Sequence, residues 1–236
     1  MTDLRVEPAT ADRFDDVAAL LNPRGRDQAC WCLHWRQPGG LPLGRREDHL
    51  RELCGRAPAP GLLAYLDEPG PDEPGPDEPG PDEPGPDEPG PDEPGPDEPG
   101  PDGPSAREGT PVGWVGCAPR TGALSLQRSR VLPRGDPGEW PTSWVVMCFV
   151  VRPGYRRRGV ARALLRGAVE YARSQGGRVI EGFPVEPEPG RRVPVSAAFV
   201  GTVPLFESVG FDRVGDTAAT SGRLPRWVLR RDLTDA

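Results

Sequence analysis

VVRPGYRRRGVARALLRGAVEYAR, residues Val150–Arg173, decides how this 236-residue chain folds. It opens on the end of an apolar run, Trp144–Val151, that carries no charge and is stopped by Arg152-Pro153-Gly154. Such a run, rich in Val and aromatics and closed by a turn signal, predicts a buried strand. Beyond the turn, Ala161, Leu164, Leu165, Ala168 and Ala172 recur at i, i+3, i+4, i+7 and i+11, one face of a helix. Gly176-Gly177 supplies its C-terminal stop. Between strand and helix stand Arg156, Arg157, Arg158, Gly159, Val160 and Ala161. A helix N-terminus presents unpaired backbone N–H groups and partial positive charge, which suits phosphate. Gly159 permits close approach of a ligand to the backbone, and the arginines strengthen the local field. Neither G-x-G-x-x-G nor G-x-x-x-x-G-K-[ST], the two common nucleotide-phosphate patterns, occurs in the chain.

Set between a buried strand and an amphipathic helix, Arg156-x-x-Gly159-x-Ala161 resembles the acetyl-CoA signature of the GCN5-related N-acetyltransferase (GNAT) superfamily. The resemblance implies an α/β fold: a mixed central sheet of six to seven strands with helices on both faces. Its fourth and fifth strands are a splayed parallel pair with the pantetheine arm between them. The resemblance makes Arg156, Arg157, Arg158, Gly159, Val160 and Ala161 the holders of the CoA pyrophosphate. It gives the main-chain N–H groups of Phe149, Val150 and Val151 the polarisation of the thioester carbonyl. The implied activity is direct acetyl transfer from acetyl-CoA to a primary amine of a small molecule or peptide, without a metal. Thr202–Phe211 resembles the late family segment hydrophobic–Tyr–Glu–x–x–Gly–Phe, but Phe206 stands where family members often place a Tyr acid. That departure keeps open a catalytically silent acyl-CoA-binding or regulatory module.

Glu181 is the candidate general base: it lies in an apolar strand beside the implied gap, where burial raises a carboxyl pKa. The competing reading is a solvated edge acid or an ion pair with one of the many arginines. Glu186 and Glu188 lie in Pro-rich surroundings that suggest an exposed loop, and Cys148 sits mid-strand as a core residue. Cys30, Cys32, His34, His49 and Cys54 hold enough donors for zinc, yet C-x-C-x-H is not a structural zinc spacing. Interleaved tryptophans make a packed aromatic wall the better reading, with Trp31, Trp35 and Trp114 as candidates to line an acceptor site.

Composition bounds the rest. The formal charge is −7, but residues 67–102 contain fifteen of the thirty-six acids and no base, and without those acids the remainder carries +8. A basic folded part suits an anionic ligand. All twenty-nine cations are Arg, so their number reflects a chain that never uses Lys. Base-stacking aromatics are not interleaved with Arg156–Arg158, which argues against nucleic acid. No stretch approaches the roughly twenty apolar residues of a membrane helix, and MTDLRVEPAT lacks signal-peptide character. The expectation is a soluble cytoplasmic protein, monomer or homodimer, with its five cysteines reduced.

Leu4–Pro8 and Ala11–Leu21 predict an opening strand and helix, Glu47–Arg56 a second helix, and Gly61–Leu66 and Thr110–Cys117 two further strands. Between those strands DEPGP occurs seven times, from Asp67 to Pro101. A five-residue period of acid, Pro and Gly has nothing apolar to bury, which predicts disorder. Because the flanking strands read as a hairpin, residues 67–109 are expected to be an insertion in its loop, interrupting a single domain over residues 1–235. The repeat reads most simply as an inert expansion, and otherwise as an acidic arm competing at the cofactor entrance. Arg120–Pro141 reads as irregular, Arg178–Pro184 as a fifth strand, and Asp212–Gly215 with Arg226–Asp232 as a closing antiparallel pair.

Overall fold

Alternating apolar runs and helical stripes leave this chain one way to bury both faces of its strands, a single sheet covered on each side. The computed structural model describes residues 4–26, 29–36, 41–66 and 109–234. Strand β1 (Leu4–Pro8) leads through a turn at Ala11–Arg13 into α1 (Phe14–Leu21), and α2 (Arg46–Cys54) follows. Strands β2 (Gly61–Leu66) and β3 (Thr110–Pro119) come next, then the short α3 (Leu124–Gln127) and β4 (Ser143–Val151). Helix α4 (Val160–Ser174) leads to β5 (Val179–Gly182), the short helices α5 (Val195–Ala198) and α6 (Val203–Glu207), and the hairpin β6 (Asp212–Ser221) and β7 (Leu224–Asp232). All seven strands form one sheet, ordered β1-β2-β3-β4-β5-β7-β6. The β4–β5 pair is parallel and every other pair is antiparallel.

Side chains alternate across the strands and so build two layers. On one face, Leu62, Ala64, Val112, Val146, Phe149 and Ile180 pack beneath Leu164, Leu165 and Ala168 of α4 and Phe206 of α6. Close approach here depends on two glycines. A Cβ at Gly113 would come within 2.6 Å of Val160 at the head of α4, and one at Gly167 within 2.6 Å of Val6. On the other face, Leu63, Tyr65, Trp114 and Cys148 meet Phe14, Val17 and Leu20 of α1 and Leu50 of α2.

Two irregularities open the centre of the sheet. In the β3–β4 register Gly116 pairs with Cys148 and Cys117 with Val146, so Met147 is an extra, bulged residue. Strand β5 stays beside β4 for three pairs only, Ser143↔Val179, Trp144↔Ile180 and Val145↔Glu181. The chain then turns away, with Val185 bridging to Arg226 and Thr202.

The closing hairpin is longer than Asp212–Gly215 and Arg226–Asp232. It extends to a tight turn at Gly222 and Arg223, both at positive φ, the backbone of a two-residue hairpin loop. Residues 120–141, expected to be irregular, contain α3 and two single 3₁₀ turns.

Leu66 pairs with Thr110 across β2–β3, so the chain leaves and re-enters the sheet at adjacent positions. The disordered DEPGP insertion was expected over residues 67–109, of which 67–108 lie outside the described residues. Replacing residues 67–109 by Asn-Gly is expected to preserve cooperative unfolding and to raise Tm by about 5–10 °C, because at the logarithmic dependence the shorter loop saves about 2–3 kcal/mol of closure entropy. A chain that no longer melts cooperatively would show that the segment is part of the fold.

Candidate active site

The turn between β4 and α4 is built for backbone donors. Arg152 N–H donates to Val112 O at 2.9 Å, and Tyr155 N–H to Arg152 O at 3.1 Å. Arg157 then has φ +62° and Gly159 φ +82°, left-handed positions that redirect the chain into the helix. The first helical bond is from Ala163 N–H to Gly159 O, 2.9 Å. The amides of Val160, Ala161 and Arg162 therefore lie ahead of the helical ladder. A Cβ at Gly159 would meet nothing within 4 Å, so open space lies in front of this backbone. Arg156, Arg157, Arg158 and Gly159 are exposed. Arg158 also leans over the buried ring of Tyr155, 5.5 Å from its centroid. Val160 points inward against Gly113 and has only its main chain to give to a ligand.

Next to this turn the gap between β4 and β5 opens. Because Arg152 N–H bonds to β3, the alternation of an antiparallel ladder aims the Val150 amide at β3 and those of Phe149 and Val151 into the gap. Phe149 N–H is already engaged, donating to Phe199 O at 2.7 Å. Of the three amides singled out from sequence, Val151 is thus the one aimed into the gap without an acceptor among the described residues. The floor is aromatic. Phe206 is fully buried, edge-on to Phe149 and Phe211 at 6.1 and 5.0 Å between centroids. A Cβ at Gly182 would lie 2.2 Å from the Phe206 ring, so the missing hydroxyl of this position falls beside β5 where the strands part.

Glu181 does not have the apolar surroundings expected of it. It is 6% exposed, paired with the buried Arg120 and with Arg230 at 3.3 Å. Two guanidinium groups thus close on one carboxylate, where the sequence led us to expect an apolar wall. Arg120 also donates to Pro133 O and Arg134 O, at 3.1 and 2.6 Å, tying the connection before β4 onto the sheet. Glu186 and Glu188 are in ion pairs with Arg213 and Arg191, both at 2.5 Å. The three tyrosines also have other places: Tyr65 OH donates to Asp16 at 2.7 Å, Tyr171 OH accepts from Ala59 N–H at 2.7 Å, and Tyr155 lies under Arg158.

The cysteines require a correction. Cys32 and Cys148, 116 residues apart, are joined in a disulfide, so the expectation of five reduced thiols does not hold. The bond fastens the Cys30–Arg36 segment to β4 beside its bulge, and Trp114 Nε1–H donates to Cys32 Sγ at 3.2 Å. Among the described residues no group of three or more His, Cys, Asp or Glu converges as a metal site would require. The tryptophans do not form one wall either. Trp31 stacks on Phe14 and Trp114 is sealed beneath α1, whereas Trp35 packs in a separate group with Met147, Phe183 and Val228.

Burial raises the Cys117 thiol to about 12 and Cys54 to about 11, while Cys30 is exposed. A thiol-disulfide reagent at neutral pH is therefore expected to titrate one thiol in the native protein, three after unfolding and five after reduction. Three fast native thiols would refute this arrangement.

Sequence reasoning missed the Met147 bulge and the Phe199 contact. Neither has a residue signature, because β4 is apolar on both faces and its alternation cannot be read.

The acetyltransferase (GNAT) family model matches residues 72–188. No curated protein matches the chain. Similar solved structures include yncA of Salmonella typhimurium, described with its cofactor acetyl-CoA: 13% identity, 99% of this chain and 95% of that one covered, TM-score 0.48. A GCN5-related N-acetyltransferase from Kribbella flavida has 16% identity, covers 98% of each chain and has TM-score 0.44. An N-acetyltransferase from Staphylococcus aureus Mu50 has 11% identity, 99% and 100% coverage, and TM-score 0.47.

Proposed function

We propose that the chain is an acetyl-CoA-dependent N-acetyltransferase of the acetyltransferase (GNAT) family, whose model matches residues 72–188, and that it transfers the acetyl group directly to a primary amine of a small molecule or peptide, within a single domain over residues 1–235. Acetyl-CoA brings an acetyl group already activated as a thioester. The chain's part is to hold it, orient it and admit the amine.

The observation that carries this reading is the head of α4, with its amides ahead of the helical ladder, opening beside the β4–β5 gap. Positive φ at Arg157 and Gly159 supports a curved set of donors, and phosphate oxygens fit such a set better than any cation would. Arg156, Arg157, Arg158, Gly159, Val160 and Ala161 are the proposed pyrophosphate holders. The Val151 amide is the proposed donor to the thioester carbonyl, where the developing negative charge is stabilised by a fixed dipole. Phe149 joins it only if the Phe199 carbonyl gives way.

In the transfer, the amine lone pair forms the C–N bond as the C–S bond breaks and its electron pair stays on sulfur. One proton leaves nitrogen and one reaches sulfur, so charge balances. With Glu181 held between Arg120 and Arg230 and Phe206 lacking a hydroxyl, we assign both proton transfers to solvent. Glu181 is then a positioning residue that fixes the wall of the gap.

The test is thiol release from acetyl-CoA with a panel of primary amines, each concentration varied against the other. The expected result is N-acetylated product equal to thiol released, intersecting reciprocal plots, and a rate rising with pH towards the acceptor's own pKa. Parallel plots with an acetylated protein would contradict direct transfer. Binding of acetyl-CoA without turnover of any amine would favour the silent module.

A further inference from the structure

Charge is not balanced on the face of the sheet opposite α4. Among the described residues the buried charged side chains are Arg36, Arg120, Arg226 and Glu181, at 6, 1, 7 and 6% exposure. All four lie on this face. Ile180 packs under α4, so its neighbour Glu181 points the other way, with Arg120 on it. Arg36 reaches over the Pro60 and Cys117 carbonyls from the segment that the disulfide fastens here. Arg226 stands against the ring of Trp35, which packs in the group of Met147, Phe183 and Val228. Three guanidinium groups face one carboxylate, an excess of two positive charges on largely buried side chains.

Arg120 has its carboxylate, and Arg36 is held by two carbonyls, donating to Cys117 O at 3.1 Å. Arg226 is different. Its Nε donates to Phe183 O at 2.7 Å and its guanidinium carbon lies 5.3 Å from the centroid of Trp35. Its two terminal nitrogens make no hydrogen bond among the described residues and keep some contact with solvent. Burial lowers the Arg226 pKa to about 10 with no carboxylate opposing it, yet the group remains charged at neutral pH. A buried cation is costly unless an anion meets it. Here one edge of the fork is used for orientation and the other, planar and bidentate, is kept free.

We propose that the acceptor amine carries an oxyanion group, a carboxylate or a phosphonate, held by the free edge of Arg226 above Trp35. This rests on the transferase reading, in which the amine reaches the β4–β5 gap from the face that α4 and α6 leave open. Arg226 lies in β7, bridged to Val185 of the chain after β5, and the Trp35 ring it stands against packs with Met147 of β4 and Phe183 just beyond β5. Trp35 contributes a ring to flank the acceptor body, and Met147, pushed out by the bulge, lies in the same group.

Matched amines test this with the full-length protein. L-phenylalanine is compared with L-phenylalaninamide and with 1-amino-2-phenylethylphosphonate, and β-alanine with propylamine, by thiol release at saturating acetyl-CoA. The anionic members are expected to exceed the neutral ones in kcat/KM by about 10–100-fold, the range of charge-assisted hydrogen bonds. Arg226→Gln is expected to bring that ratio towards one through KM, and Arg226→Lys to keep part of it. Calorimetric titration with acetyl-CoA verifies that each variant is folded. In parallel, each amine is titrated calorimetrically into the CoA-saturated protein. Tighter binding of the anionic members without turnover would sustain the anion site and sink the transferase reading. Turnover of neutral and anionic members alike in the wild type would sink the anion site and leave the transferase. A ratio unchanged in Arg226→Gln would transfer the selectivity to another group, and no binding of either class would overturn both.

Discussion

Replacing Glu181 by Leu is expected to lower stability by about 3–5 kcal/mol, because it leaves Arg120 buried with no counter-charge. Arg120 is 1% exposed and anchors the Pro133 and Arg134 carbonyls as well as the carboxylate. Losing its partner therefore also loosens the connection that leads into β4. The measurement is the midpoint of chemical denaturation, with the slope unchanged if only the native state is affected. The double substitution Arg120→Met with Glu181→Leu is expected to recover much of the loss, since an apolar pair replaces a buried ionic one at little cost. Glu181→Gln separates structure from catalysis. A positioning role leaves the pH profile of kcat unchanged in shape, with activity falling only as far as the fold loosens. A base role would lower kcat by roughly 10²–10⁴-fold and flatten the alkaline rise, with little change in the denaturation midpoint.

Replacing Gly159 by Val is expected to weaken acetyl-CoA binding by about 10–100-fold, the equivalent of 1–3 kcal/mol of strain at a left-handed position. At φ +82° a β-branched residue must either bear that strain or turn the amides of Arg158–Ala161 away from their ligand. A Cβ there touches nothing within 4 Å, so the core is not disturbed. The effect is expected in the calorimetric dissociation constant, with a smaller change in Tm than the affinity loss implies. Gly113→Val gives the contrasting pattern. Its Cβ would press on Val160 and Leu164, at 2.6 and 3.0 Å, and stability would fall with affinity. Equal affinity for acetyl-CoA in Gly159→Val and wild type would remove the pyrophosphate from this loop.

Local signals were legible in the sequence and long-range ones were not. The strand, turn and helix of residues 144–174 depend on neighbours within a few positions, and the structure has them within a residue or two. The seven-stranded sheet with its parallel β4–β5 pair is what the family resemblance implied. Register is another matter. The Met147 bulge depends on how β3 lies against β4, and nothing in an uninterrupted apolar run marks it. The Cys32–Cys148 bond joins residues 116 apart, and pairing among five cysteines cannot be read from spacing.

Arginine was hidden by composition. In a chain whose every cation is Arg, the buried Arg36, Arg120 and Arg226 look like the exposed Arg156–Arg158. Only tertiary burial separates charges that bear on the site from charges that solvate the surface. The same holds for Glu181. Its placement beside the gap was readable from the strand that contains it, but its two guanidinium partners come from β7 and from the start of the connection after β3. The Trp35 segment shows the converse. The C-x-C-x-H cluster suggested a common role, yet chain direction turns Trp31 under α1 and Trp35 towards β7.

The most direct measurement is a crystal structure of the protein with CoA bound. The pyrophosphate oxygens are expected within hydrogen-bonding distance of the amides between Arg157 and Ala161, and the pantetheine arm in the gap alongside Val151. Pyrophosphate seated elsewhere, with the head of α4 bare and the β4–β5 gap empty, would contradict this.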